Sequence, residues 1–75
     1  MKIAVVSITR HGIALAAKVI AALPGAQLFA PEKFRSEAAA AVADTSPGAA
    51  HCYTGKVGDQ VPALFAAFDA IVCIV

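Results

Sequence analysis

The apolar positions of this chain follow two periods, one typical of buried strands and one typical of helices. Residues 2–8 are dominated by an unbroken run of apolar, mostly β-branched side chains, which favours a strand buried on both faces of a parallel sheet. Residues 12–23 repeat their apolar positions every three or four residues and stop at Pro24 and Gly25, which predicts a helix with a glycine just past its end. The chain therefore opens with a strand, a loop and a helix.

The same alternation continues along the chain. Residues 26–30 predict a second short strand that ends at Pro31, and residues 32–34 predict a turn. Residues 36–43 favour a helix capped by Ser36, although its apolar stripe is nearly all alanine and should pack weakly. Residues 51–54 predict a third strand, at an edge of the sheet.

A third helix and a fourth strand follow. We expect the helix to begin between Asp59 and Val61, because Pro62 is tolerated in a first turn but not in a helix interior. Its predicted apolar stripe consists of Val57, Val61, Leu64, Phe65 and Phe68. Residues 70–75 form the last apolar run, in which Cys73 is expected to be a small core residue.

This order of elements predicts one small α/β domain over residues 1–75. We expect an open three-layer α/β/α arrangement around a parallel sheet of three or four strands, with right-handed crossovers. Because the chain stops within an apolar strand, we expect the sheet to be incomplete at its C-terminal end and the chain to be an N-terminal fragment of a longer protein. An uncovered sheet edge would also permit a homo-oligomer.

The composition of the chain limits which binding partners and which cellular location we expect. The chain is 60% apolar and 15% charged, and its net charge of +1 provides no general attraction to nucleic acid or to a membrane surface. Its apolar runs are shorter than the roughly 20 residues of a membrane span, and its start lacks the features of a signal peptide. Cys52 and Cys73 do not have metal-ligand spacing. We therefore expect a cytoplasmic protein without a metal or a separate cofactor.

Two loops carry side chains that suit an anionic ligand. The first follows the first strand and contains Ser7, Thr9, Arg10, His11 and Gly12. An Arg guanidinium can form paired hydrogen bonds with a carboxylate, and a His can donate or exchange a proton. Ligands of open α/β sheets bind beyond the carboxyl ends of the strands, near helix N-termini, which is where this loop should lie.

The second loop precedes the third helix and contains Thr54, Gly55 and Lys56. Glycine allows close approach of a ligand to the backbone, and the lysine offers a point charge. Neither loop has the spacing of a P-loop or of a dinucleotide-binding motif, and no catalytic pair can be assigned. Both loops are also compatible with solvent-exposed turns that bind no ligand. In the first loop, the threonine would then serve only to cap the following helix.

Five segments occur in an order and spacing that resemble one known family. They are KIAVVSITRHG at residues 2–12, LFAPEK at 28–33, YTG at 53–55, LFAAF at 64–68 and DAIVCIV at 69–75. Together they are similar to the N-terminal domain of the cobalt-precorrin-5A hydrolase family of anaerobic cobalamin biosynthesis. The resemblance covers nearly the whole chain, whereas family members extend far beyond it.

The resemblance implies a hydrolase that opens the δ-lactone ring of a corrinoid precursor and releases acetaldehyde. Cobalt would arrive within this substrate, whose fringe of carboxylates suits Arg10, His11 and Lys56 at helix N-termini. Part of the site would lie in downstream sequence, and the resemblance assigns no catalytic base. One alternative is a non-catalytic α/β module that binds an anionic small molecule or a partner chain, and another is a truncated reading frame without function.

Overall fold

Strands and helices alternate in the computed structural model, which describes residues 1–74. The elements are β1 (Ile3–Ser7), α1 (Arg10–Ala22), β2 (Gln27–Pro31), α2 (Arg35–Val42), β3 (Ala50–Tyr53), α3 (Val57–Ala67) and β4 (Ala70–Ile74). A single 3-10 turn, Glu32–Phe34, leads from β2 into α2. Val75, the last residue of the predicted fourth strand, lies outside the described residues.

The four strands form one parallel sheet in the order β3-β2-β1-β4. Strand β1 is central, and Val5 is in register with Leu28 of β2 on one side and Val72 of β4 on the other. Strand β3 lies at one edge, as the sequence predicts. The strand order reverses between β1 and β4, so the carboxyl ends of these two strands flank a topological switch point.

Helices cover the two faces of the sheet unequally. Val5 faces one side and packs in a cluster with Ile20 of α1, Leu28 and Val42 of α2. Its neighbours Ala4 and Val6 point to the opposite side, where the buried cluster is smaller and receives Leu64 from α3. Successive side chains of β1 thus point to opposite faces of the sheet. Helices α1 and α2 cover one face, and α3 covers the other. The predicted α/β class, parallel sheet and three-layer arrangement are therefore confirmed.

Helix α1 begins at Arg10, two residues before the predicted start. Thr9 precedes it in an extended conformation, and its Oγ1 accepts a hydrogen bond from the backbone N–H of Gly12 at 3.1 Å. This is the geometry of an N-cap, so the threonine ends the loop and starts the helix. The helix buries Ile13, Ala16 and Ile20 on one stripe, as predicted.

The prediction for the start of α3 was wrong, because the helix already begins at Val57. The N–H of Asp59 donates to the carbonyl of Lys56 at 3.1 Å, which closes the first turn ahead of Pro62. Pro62 then lies inside the helix, and its missing N–H leaves the carbonyl of the exposed Gly58 without a helical partner. Phe65 is also not on a buried stripe, since it is 63% exposed.

Helix α2 forms without the serine cap that the sequence suggested. Phe34 occupies the N-cap position, because the 3-10 turn runs directly into the helix and leaves no extended residue before it. The helix buries Ala38 and Val42, whose small side chains allow it to pack closely beside α1.

Strand β4 is less covered than its sequence predicts. Cys73, expected in the core, is exposed, and Val72 is 38% exposed. Both residues lie on β4, an edge strand that the helices leave partly uncovered. Within residues 1–74, no helix is both long enough and apolar enough to cross a membrane.

Candidate functional site

A cleft of about 580 Å³ opens at the carboxyl edge of the sheet, above β1, β2 and β3. The loop after β1 contributes Ile8, the turn after β2 contributes Glu32 and Lys33, and residues 53–57 form the third wall. Three consecutive loops meet here because parallel strands all end at the same edge. The volume is within the range typical of small-molecule sites.

The second predicted loop lies in the wall of this cleft. Thr54, Gly55 and Lys56 all line it, and Gly55 adopts a φ of +79°, in the left-handed region that glycine tolerates best. The side-chain Nε2 of Gln60 donates to the carbonyl of Thr54 at 3.0 Å. This hydrogen bond holds the loop against the first turns of α3 and presents the exposed Lys56 at the helix N-terminus.

Three residues of the first predicted loop shape the turn between β1 and α1. Ser7 is fully buried, and its hydroxyl donates to the carbonyl of Thr9 at 2.9 Å. Gly12 lies so close to this turn that a Cβ there would approach Ser7 Oγ to 2.8 Å and the Ile74 carbonyl oxygen to 3.2 Å. The structure therefore gives Ser7, Thr9 and Gly12 packing and capping roles outside the cleft wall.

Arg10 and His11 lie in the first turn of α1, and both are exposed. The Nε of Arg10 is 3.2 Å from Oε2 of Glu37, and its guanidinium carbon is 5.7 Å from the centroid of the Phe34 ring. The Nζ of Lys33, a cleft residue, is 5.1 Å from the same centroid. Arg10 and the cleft residue Lys33 thus share the Phe34 ring, but neither Arg10 nor His11 lines the cleft, and the Arg10 guanidinium is engaged by Glu37.

The turn after β2 was not among the site residues predicted from the sequence. Lys33 adds a second positive charge to the cleft wall, and Glu32 adds a carboxylate that Arg35 holds through Nε at 2.9 Å. Hydrogen bonding and proximity to this carboxylate raise the pKa of the Arg35 guanidinium above its usual range. The signal that could have identified Glu32 and Lys33 is their position directly after a predicted parallel strand.

Tyr53 forms the floor between the cleft and the face of the sheet that α3 covers. Its ring is largely buried, and its hydroxyl donates to the carbonyl of Ser7 at 3.4 Å. Burial raises the pKa of the Tyr53 phenol above its ordinary value, with a smaller contribution from the charge of Cys73. The phenol therefore keeps its proton at neutral pH and acts as a hydrogen-bond donor.

Comparisons of this chain with models of protein families, with curated proteins and with solved structures find no match. The resemblance to cobalt-precorrin-5A hydrolases thus stays a prediction, and the site must be interpreted from its own geometry. Within the described residues, no group of three or more His, Cys, Asp or Glu side chains is placed to hold a metal ion. The cleft wall offers the positive charges of Lys33 and Lys56, backbone N–H groups, the carboxylate of Glu32 that Arg35 pairs, and the Tyr53 phenol, which is engaged by the Ser7 carbonyl.

Proposed function

We propose that this chain is the carboxylate-binding N-terminal domain of a cobalt-precorrin-5A hydrolase, acting in the cytoplasm on a corrinoid that carries its own cobalt. The observation that supports it best is the convergence of Lys33 and Lys56 on one cleft at the carboxyl edge of the sheet. The choice of a corrinoid comes from the sequence resemblance. The choice of a carboxylate-bearing ligand comes from the charges of the cleft.

Several features make the cleft attractive to carboxylates. Lys33 and Lys56 belong to the loops after neighbouring strands, so their ammonium groups can approach one ligand from two sides. The N-terminus of α3 adds unpaired N–H groups and the positive end of the helix dipole. Arg35 compensates the charge of Glu32, the carboxylate in the wall.

In the proposed reaction, water adds to the lactone carbonyl of the substrate and the ring C–O bond breaks, which gives a carboxylate and an alcohol. The alcohol then becomes the aldehyde carbonyl as its C–C bond to the macrocycle breaks, so that acetaldehyde leaves and the macrocycle carbon takes up the proton. The role of this chain is to bind and orient the carboxylate fringe so that the lactone faces the segment that activates water. The backbone N–H groups at the start of α3 are suited to holding an oxygen that gains negative charge. The chain's downstream sequence would then supply the base.

A second candidate function is that of a non-catalytic module for an anionic small molecule or a partner chain. The observation that favours it is the ion pair between Glu32 and Arg35. A general base must be free to contact the proton that it accepts, and the Glu32 carboxylate is already engaged by the Arg35 guanidinium. The two candidates share the cleft and differ in whether a completed protein hydrolyses the bound ligand.

We expect Lys33→Gln and Lys56→Gln each to weaken binding of cobalt-precorrin-5A roughly threefold to tenfold, because each removes one charged hydrogen bond of a partly exposed site. Isothermal titration calorimetry measures the change. Lys18→Gln is the matched control, since Lys18 is an exposed residue of α1 outside the cleft wall. Equal losses in all three variants, or preferential binding of nucleotides, would contradict the proposal.

Hydrolysis requires a separate measurement. When the chain is joined to its expected downstream sequence, the completed protein should release acetaldehyde from cobalt-precorrin-5A. Binding that depends on both lysines without any acetaldehyde release would instead support the non-catalytic module.

Glu37→Gln should strengthen carboxylate binding roughly twofold to fivefold, the range expected from releasing one exposed ion pair. The substitution frees the guanidinium of Arg10, which already lies beside the same Phe34 ring as the cleft residue Lys33. The double variant Glu37→Gln with Arg10→Gln tests the cause, because it should lose the gain. A gain that persists without Arg10 would show that Glu37 acts only through general repulsion.

A further inference from the structure

A second recess adjoins the cleft, on the face of the sheet that α3 covers. This groove has a volume of about 490 Å³ and lies between α3 and strands β1 to β3. Tyr53 and Thr54 belong to the walls of both recesses. A ligand of sufficient length could therefore occupy the cleft and the groove together.

The groove wall is apolar and partly aromatic. Phe29 of β2 and Phe68 at the end of α3 meet edge to face, with ring centroids 5.5 Å apart and an interplanar angle of 83°. His51 stacks on Phe29 at 5.1 Å, and the buried Leu64 completes the inner wall. Such a corner offers ring faces and ring edges to a flat apolar body.

Small residues on α3 keep the groove open. Ala63 and Ala67 are one helical turn apart, and both line the groove while remaining exposed. A larger side chain at either position would occupy space that is now free. The neighbouring Ala66 is also exposed but lies outside the groove wall.

The two recesses differ in character, because charged side chains line the cleft and mainly apolar side chains line the groove. The cleft carries Lys33 and Lys56, whereas the groove wall, within residues 1–74, carries no Asp, Glu, Lys or Arg side chain. At their junction, the amide of Gln60 is already engaged by the Thr54 carbonyl. Burying a charge in the groove would be costly, and burying an apolar surface there would be favourable.

We propose that the cleft and the groove form one bipartite site for an amphipathic anion. The carboxylates of this ligand bind at Lys33 and Lys56, and its planar, fused-ring body lies in the groove against Phe29, Leu64 and Phe68. The inference rests on the proposed function, because it takes the cleft as the carboxylate site. It adds a surface for the apolar body of the ligand, on the opposite face of the sheet from Arg10.

Two probes and one pair of variants test this inference. The probes are 1-pyrenebutyrate, which joins a carboxylate to a fused-ring body, and tricarballylate, which carries carboxylates without a ring. Ala63→Trp fills the groove and should weaken binding of 1-pyrenebutyrate roughly tenfold or more while leaving tricarballylate unchanged. Ala66→Trp adds the same side chain outside the groove and should change neither affinity. Circular dichroism and thermal unfolding verify that both variants are folded.

Three results would overturn the bipartite site. The first is an equal effect of the two tryptophan variants on 1-pyrenebutyrate. The second is wild-type binding of 1-pyrenebutyrate that is no tighter than that of tricarballylate. The third is a wild-type dimer that Ala63→Trp converts to a monomer in sedimentation experiments, which would assign the groove to a second copy of the chain.

The same titrations separate this inference from the proposed function. If tricarballylate binding still depends on Lys33 and Lys56 but Ala63→Trp has no effect on 1-pyrenebutyrate, only the bipartite site fails. If tricarballylate binding does not depend on the two lysines, the carboxylate site fails and the bipartite site fails with it.

Discussion

Val5→Asp is expected to abolish cooperative folding of the domain. Val5 is completely buried in the central strand, in register with Leu28 and Val72 and in the same buried cluster as Ile20. An unpaired buried carboxylate costs several kcal/mol, whether it stays charged or takes up a proton. Domains of this size have only about 5–15 kcal/mol of stability in total. Thermal unfolding followed by far-UV circular dichroism should show no cooperative transition.

Leu15→Asp is the control, because it introduces the same aspartate side chain at an exposed position. Leu15 is 53% exposed on α1, so an aspartate there stays hydrated and should shift the melting temperature only slightly. If Val5→Asp melted cooperatively near the wild-type temperature, β1 would not be the central buried strand.

Gly12→Ala should destabilise the domain by about 1–3 kcal/mol, the range for forcing an extra methyl group into a packed site. A Cβ at this position would lie 2.8 Å from the buried Ser7 Oγ and 3.2 Å from the Ile74 carbonyl oxygen. Neither atom can move freely, because the serine hydroxyl is bonded to the Thr9 carbonyl and Ile74 lies in β4. Chemical denaturation should report the loss as a lower midpoint.

Gly58→Ala is the matched substitution in the first turn of α3. A Cβ at Gly58 would meet no atom within 4 Å, and the alanine should stabilise the helix by about 0.5–1 kcal/mol. Opposite signs for the two glycine variants are the expected outcome. A Gly12→Ala protein as stable as the wild type would show that α1 does not press against the ends of β1 and β4.

The sequence was sufficient to predict the order and type of the elements. The β-branched run before Ser7 and the 3.6-residue stripe through Ile13 and Ile20 leave little choice between strand and helix. Alternating strands and helices in turn require a parallel sheet, which the structure confirms. These features depend on local sequence and are therefore accessible without coordinates.

Burial in the C-terminal part of the chain was harder to predict. The pattern places Phe65 and Cys73 in the core, and both are exposed, because burial depends on whether another element covers them. Pro62 was also misleading, since a helix can start before a proline when a bond such as that between Asp59 and Lys56 has already closed its first turn. Periodicity identifies an apolar face but does not identify what packs against it.

The candidate site also combines features that follow from the sequence with features that depend on how the elements pack. Its location beyond the strand ends follows from the predicted topology, and Lys56 was selected because its loop contains glycine, precedes a helix and offers a point charge. The orientation of the Arg10 side chain does not follow from the predicted topology, because its partner Glu37 is on another helix. Lys33 was overlooked, although its position directly after a predicted parallel strand already places it at the same edge of the sheet.

The strand order also determines when β1 gains its second partner during translation. Residues of β1 pair with residues of β4 that are separated from them by more than sixty positions, for example Val6 with Cys73. While the ribosome has released only the first three strands, β1 has a partner on one side and an open row of N–H and C=O groups on the other. The nascent chain therefore keeps this open row available for misassociation until β4 emerges, and slower elongation over α3 would prolong that interval.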